Sequence, residues 1–203
     1  MNLHINDLPS DDIFRDSVAV DTETMGLVTK RDRLCLVQLC SRDGDVHMVQ
    51  IKKDRGDGDS EHLKRLLTDK SILKIFHFAR FDVSVLNHAL GIETSPIWCT
   101  KIASKLVRTY SDRHGLKVLC KEILGVDISK YEQSSDWGRD VLTREQLNYA
   151  AGDVLHLHKL KAKLEEMLLR EGRMSLAERC FHAVETFSAL ELADVNPDEL
   201  FLH

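Results

Sequence analysis

The stretch Val18-Ala19-Val20-Asp21-Thr22-Glu23-Thr24-Met25-Gly26-Leu27 constrains this chain more than any other. A short apolar run ends in two carboxylates one residue apart and then breaks at a glycine. Successive side chains of a β-strand point to opposite faces, so Asp21 and Glu23 fall on one face, about 6–7 Å apart along the strand. Two like charges held there repel each other. A positive partner is therefore expected between them, and a hard divalent ion with oxygen ligands is the simplest candidate. Taken alone, the pattern fits a solvated acidic strand edge equally well.

Two further stretches weigh against that bland reading. His77-Phe78-Ala79-Arg80-Phe81-Asp82 follows the apolar run Ile72-Leu73-Lys74-Ile75 and places an acid at the start of an apolar helix pattern. An acid there also suits the helix dipole, so Asp82 gains meaning only beside the other carboxylates. Tyr149-Ala150-Ala151-Gly152-Asp153 sets a phenol and a carboxylate at i and i+4, one above the other on a helix face. Asp153 lies among Ala150, Ala151, Val154 and Leu157, where an unpaired carboxylate is costly to bury.

With these residues the chain resembles the DEDD-type 3′-to-5′ exonucleases. Asp21 and Glu23 match the first motif, Asp82 the second, and Asp153 with Tyr149 the third. A tyrosine four before the last aspartate marks the tyrosine subclass; the histidine subclass has a histidine five before it, where this chain has Asn148. Further similarity through Thr100 to Leu106, His114 to Lys117, Lys130 to Trp137 and Leu142-Thr143 extends the likeness over most of residues 15 to 165, in the manner of ribonuclease D. The length and the wording of Thr100 to Lys117 resemble most the small bacterial oligoribonuclease branch, nanoRNase C. One departure is the absence of proline in Trp137-Gly138-Arg139-Asp140-Val141-Leu142, where ribonuclease D-like chains commonly carry one.

The resemblance implies the ribonuclease H-like fold, an α/β domain with a mixed central sheet flanked by helices. It implies a single exonuclease domain over 1–203, with a C-terminal helical extension from about 172 to 203 and without the helical domains that follow the nuclease domain of ribonuclease D. It also implies two divalent cations, Mg2+ or Mn2+, held by Asp21, Glu23, Asp82 and Asp153. Hard oxygen ligands favour these ions over zinc, and a cation pair can both activate a water and stabilise the leaving oxygen. Asp21 is expected to bridge both ions, Glu23 and Asp153 to complete one site, and Asp82 to serve the other mainly through water. Tyr149 is expected to orient the attacking water or the scissile phosphate, since a phenol with a free pKa near ~10 is a poor base. Thr22, Met25, Gly26, Leu27 and His77 are expected to contact the terminal nucleotide of a short single-stranded RNA, releasing 5′-mononucleotides. A DNA exonuclease, a processor of longer structured RNA, and a non-catalytic nucleic-acid-binding module remain as alternatives.

Whole-chain properties bound these readings. Hydrophobic content of 43% and charged content of 30% belong to an ordinary globular protein. No stretch approaches the ~18 apolar residues of a membrane span, so no membrane role is expected and the cytoplasm is the default. Five cysteines, an odd number without a C-x-x-C pair, argue against a disulfide framework or a zinc ribbon. A net charge of −5 is unusual for a nucleic-acid enzyme, but between Thr100 and Lys130 seven Lys and Arg face three acids. Lys30, Arg31 and Arg33 form a second basic cluster. The apolar end Leu200-Phe201-Leu202 and the final helix suggest a homo-oligomer, and small relatives assemble as rings such as an octamer.

Along the chain, residues 1 to 14 read as an arm, and Val18–Thr22, Leu34–Leu39 and Val46–Ile51 as an antiparallel meander. Strand Ile72–Phe76, a helix over Phe81–Leu90 and a link at Pro96–Cys99 follow, then helices near Thr100–Val107 and Gly115–Leu124. Thr143-Arg144-Glu145-Gln146 reads as a capping box opening a long helix, and Ser175-Leu176-Ala177-Glu178 as a second one.

Overall fold

The structure, a computed structural model, describes residues 1–10, 12–54, 56, 59–128, 135–200 and 202. Sequence readings that fall on Lys130, Ser134, Phe201 and part of the Asp54–Ser60 loop lie outside these residues.

Alternating and fully apolar runs build a six-stranded mixed sheet. Strands β2 (Ser17–Thr24), β3 (Leu34–Cys40) and β4 (Val46–Gln50) form the expected antiparallel meander. All seven residues of β3 are buried, as a strand covered on both faces requires. On the other side of β2, strands β5 (Leu73–Phe76) and β6 (Ile97–Cys99) add in parallel. The N-terminal segment differs from the expected arm. Asn2–Ile5 is strand β1, parallel to β4, which gives the order β1-β4-β3-β2-β5-β6. Four residues with no strong alternation become a strand only because β4 offers an open edge to pair with.

Helix α1 (Glu61–Thr68) buries Leu63, Leu66 and Leu67. Helix α2 (Ala79–Leu90) begins two residues before its predicted start and ends at Gly91 in the left-handed region, the usual glycine stop. Helix α3 (Thr100–Val107) follows β6 directly, and α4 (Leu116–Leu119) runs on into a π-helical turn over Cys120–Leu124. The long helix expected after Thr143 is two helices, α5 (Arg144–Leu155) and α6 (Leu157–Arg170), with a bend at His156. Beyond the bend Leu157, Leu160, Leu164 and Leu168 are all fully buried, each contributing about 2 kcal/mol or more by burial.

Helix α7 (Met174–Leu192) packs on α2, β6, α3 and α6, and the short α8 (Pro197–Leu200) follows it. Its core face is Ala177, Phe181, Val184 and Ser188, with the Phe181 ring 4.9 Å from that of Trp98. The second capping box does not form. Gly172, at φ 63°, ends α6, and α7 starts at Met174 with no side-chain cap, so Ser175 already lies inside the helix. Cys35, Cys40, Cys99 and Cys120 are buried free thiols and Cys180 is half-buried, in keeping with the reading of five unpaired cysteines. Among the described residues no helix is long and apolar enough to cross a membrane.

Candidate active site

The end of β2 supplies the first two acids. Asp21 and Glu23 project from one face of the strand, beneath α5, while Thr22 between them points to the opposite face. The ladder to β3 shifts register just past Glu23: Glu23 pairs with Leu36 and Thr24 with Leu34, leaving Cys35 as an extra residue. Such a bulge bends the strand where the chain leaves the sheet.

Asp82 comes from the first turn of α2 and is 3% exposed. The Thr22 hydroxyl donates to its Oδ1 at 2.7 Å. One strand thus holds two acids with one face and orients a third with the other.

Tyr149 and Asp153 are set by α5, whose start is fixed as expected. The Thr143 hydroxyl accepts from the Gln146 N–H at 3.2 Å, and the Thr143 N–H donates to Gln146 Oε1 at 2.9 Å. Gln146 Nε2 also donates to Ser135 Oγ and to the Asp136 carbonyl, at 2.8 and 3.0 Å, tying the preceding loop to the helix. That loop carries Trp137, buried, with its ring 6.1 Å from Tyr149. Arg33 and Gln50 hold the same loop from below by donating to the carbonyls of Gly138 and Arg139, both at 3.0 Å.

Together these elements gather Asp21, Glu23 and Asp153, with carboxylate oxygens all within 4.8 Å of one another. Burial first, then the Asp82, Asp153 and Glu23 charges, push the Asp21 carboxyl well above the ordinary range. Burial, then Asp153 and Asp82, raise Glu23 to about 9. Burial raises Asp82 to about 7, against the stabilising hydrogen bond from Thr22. Burial and the Asp153 charge drive the Tyr149 phenol far upward, and its hydroxyl donates to Asp153, so it stays protonated. Acids raised this far at neutral pH are a site short of positive charge. An all-oxygen donor set fits hard divalent cations such as magnesium or manganese.

The acids and Tyr149 form one side of a pocket of about 310 Å³. Thr22 and His77, the residues expected at the nucleotide, line it, and so do Phe78, Phe81, Lys101 and Lys117. Phe78 is exposed and has φ 72°, a strained left-handed backbone for a bulky residue, and Lys101 Nζ lies 3.9 Å from its ring centroid. Met25, Gly26 and Leu27 are not part of this wall. Met25 rests its sulfur against Gly138, and Leu27 is 83% exposed. A Cβ at Gly26 would overlap the Asp32 carboxylate, so a larger residue there would make that side chain move.

Few of the basic residues prominent in the sequence are free for a ligand. Arg108 is 2% exposed and paired with Glu122. Lys121 pairs with Asp127 at 3.4 Å, Lys30 with Asp194 at 2.7 Å, and Arg31 with Asp32 at 2.8 Å. Among the described residues, Lys101 and Lys117 are the two that reach the pocket. Charge counting found their neighbourhood; Phe78 and Phe81 were missed, and the signal available for them was the pair of phenylalanines just before Asp82 in His77-Phe78-Ala79-Arg80-Phe81-Asp82.

Comparison with known proteins agrees with this geometry. Residues 6–169 match the 3′-5′ exonuclease family. Ribonuclease D of Nitrobacter hamburgensis is 34% identical over 77% of this chain, which spans only 40% of that protein. The structure of Brucella melitensis NrnC (nanoRNase C) bound to pGG superposes with a TM-score of 0.94 at 52% identity, covering 100% of this chain and 98% of that one. The same protein with bound Mg2+ superposes at 0.91 and 51% identity, with the same coverage of both chains. These matches establish the ribonuclease H-like exonuclease fold that the family resemblance implied. With its acids drawn from β2, α2 and α5 and its likeness running the whole length of NrnC, this chain belongs to the 3′-5′ exonuclease family.

Proposed function

We propose that the protein is a metal-dependent 3′-to-5′ exoribonuclease that hydrolyses short RNA to 5′-mononucleotides. The observation that carries this reading is the meeting of three carboxylates within 4.8 Å, with Asp82 and Tyr149 beside them, in one small pocket. Asp21, Glu23, Asp82 and Asp153 would hold two divalent cations, Mg2+ or Mn2+, which when bound supply an activated water and relieve charge on the leaving oxygen. Tyr149 keeps its proton and orients the attacking water or the phosphate rather than acting as a base. Lys101 and Lys117 attract phosphate oxygens to the rim, and Phe78 and Phe81 offer faces on which a base can stack. Thr22 acts by orienting Asp82. Met25, Gly26 and Leu27 follow the acids in the chain and meet the nucleotide from outside the pocket wall.

A pocket of about 310 Å³, lined among the described residues by the two lysines Lys101 and Lys117, suits a very short chain better than a long duplex. The pGG bound by Brucella NrnC supports the same preference. We also infer one exonuclease domain with a helical extension, a cytoplasmic setting in keeping with five free cysteines, and self-association. Exposed Leu176, Leu200 and Leu202 in the C-terminal part support the last, and a ring such as an octamer is the form the family resemblance suggests.

The deciding experiment follows a 5′-labelled dinucleotide and a 5′-labelled 20-mer RNA with magnesium, manganese or chelator. Much faster cleavage of the dinucleotide, stopped by chelator, is expected. Equal rates on both would make the protein a general exoribonuclease, and chelator-resistant cleavage would remove the metal mechanism.

A further inference from the structure

Strand β3 carries one polar side chain, Gln38, in the middle of a run that is otherwise leucine, valine and cysteine. Gln38 is 0% exposed. Both ends of its amide, Oε1 and Nε2, are buried and have no hydrogen-bond partner among the described residues. A primary amide offers two N–H donors and an accepting oxygen, and leaving them unmet in the interior costs stability. Leucine or methionine would fill much the same space without that cost, so the folded core alone gives no reason for an amide here.

The sheet register shows what lies beside it. Gln38 is paired directly with Asp21 across the β2–β3 ladder and with Met48 across the β3–β4 ladder. Directly opposed residues of an antiparallel pair share a face, with Cβ atoms about 4.5–5.5 Å apart. Gln38 therefore projects beside Asp21, on the side that α5 covers. Within two places of it along the three strands, the polar side chains on this face are Asp21, Glu23 and Gln50. Gln50 is engaged, since its Nε2 donates to the carbonyls of Arg139 and Asp140. Glu23 stands on the diagonal, opposite Leu36, and Asp21 is the direct neighbour. On α5 above, Tyr149 donates to Asp153 and Gln146 to Ser135 and Asp136. The χ3 torsion of glutamine has a broad minimum, so the amide can turn toward Asp21 without leaving its place in the core. A carboxylate that binds cations is itself held in place by a protein donor, and the amide is the donor this packing supplies.

We propose that Gln38 is a positioning residue whose Nε2 donates to the Asp21 carboxylate and fixes the orientation in which Asp21 receives cations. The proposal rests on the cation-binding part of the function proposed above, and it adds a side chain that is not among the described residues lining the pocket.

The test uses the whole protein with Gln38→Leu and Gln38→Met, which keep the apolar bulk and remove the amide. Manganese is titrated by calorimetry into chelator-stripped wild type and variants. Both variants are expected to bind it about 10- to 100-fold more weakly, the usual effect of losing a hydrogen bond to a metal-binding carboxylate. Their urea midpoints without metal are expected to stay level or rise, because an unmet amide has been removed. On a dinucleotide, kcat falls over the same range and KM stays within about threefold, as suits a group that supports Asp21 from outside the pocket wall. A crystal structure of the wild type with manganese, which needs no variant to fold, is expected to show Nε2 within about 3.2 Å of an Asp21 oxygen. Manganese affinity within about threefold of wild type in either variant, a urea midpoint that falls, or a loss confined to KM would overturn the proposal. So would a crystal structure in which Nε2 meets a water or any group other than Asp21. If the wild type binds no manganese, the cation site itself fails and the role of Gln38 falls with it. If it binds manganese but cleaves no dinucleotide, the exoribonuclease reading alone fails, and the affinities of the variants still decide the role of Gln38.

Discussion

At the residue scale, the site is a set of charges brought closer than they would choose. Asp21 sits among Glu23, Asp82 and Asp153 and has the carboxyl raised by all three. Replacing it with Asn removes both the repulsion and a cation ligand. Asp21→Asn is expected to abolish hydrolysis, by at least ~10³-fold, while raising metal-free stability by about 1 kcal/mol. Activity assays and urea titrations in chelator check the two halves separately. Retained turnover would contradict the metal reading. Tyr149→Phe keeps the ring against Trp137 but loses the hydroxyl. It is expected to lower kcat about 10²-fold with little change in KM, measured by steady-state kinetics on a dinucleotide. Strand periodicity puts Asp21 and Glu23 on one face, and helix periodicity does the same for Tyr149 and Asp153, so each pair was legible in the sequence; Asp82 joined them only through the family resemblance. Which lysines face the pocket was not legible. Arg108 and Lys101 look alike in a charge count, and only packing sends one into a buried pair with Glu122 and the other to the wall.

Elements carried different amounts of local information. The Thr143–Gln146 box is written in four residues and forms with both reciprocal bonds. Thr143→Ala is expected to cost about 1 kcal/mol by thermal or urea unfolding. Because Gln146 also holds Ser135 and Asp136, the same change loosens the Trp137 loop behind Tyr149. The Ser175–Glu178 box has the same spelling and does not form, because a cap depends on where the preceding helix stops. Gly172 stops α6 early enough for α7 to begin before Ser175. The bend at His156 was equally hidden, for the apolar spacing runs through it. Strand β1 was hidden for the opposite reason, since its partner β4 lies more than forty residues away in the chain.

For the whole molecule, stability and cation binding are linked through pH. Glu23, raised to about 9, and Asp82, raised to about 7, have folded values above their unfolded ones. Their protonated forms favour folding; this contribution is fully present below about pH 4 and fades as pH rises through 7 and 9. The metal-free protein is therefore expected to lose stability between pH 5.5 and 8.5. Divalent cations bind the ionised carboxylates, so the gain in Tm from millimolar magnesium is expected to be larger at pH 8.5, by on the order of 5 °C. Differential scanning fluorimetry in chelator and in magnesium decides it; an equal gain at both pH values would contradict the coupling. The sheet has one more consequence at this scale. Strand β1 lies at the rim of the sheet with Leu3 and Ile5 exposed, 45% and 52%, and it pairs on one side only among the described residues. An unpaired apolar edge is a template for adding another strand. Fibrillar or sticky behaviour on storage is thus expected to begin at the amino end, and a lysine at position 3 or 5 is the place to blunt it.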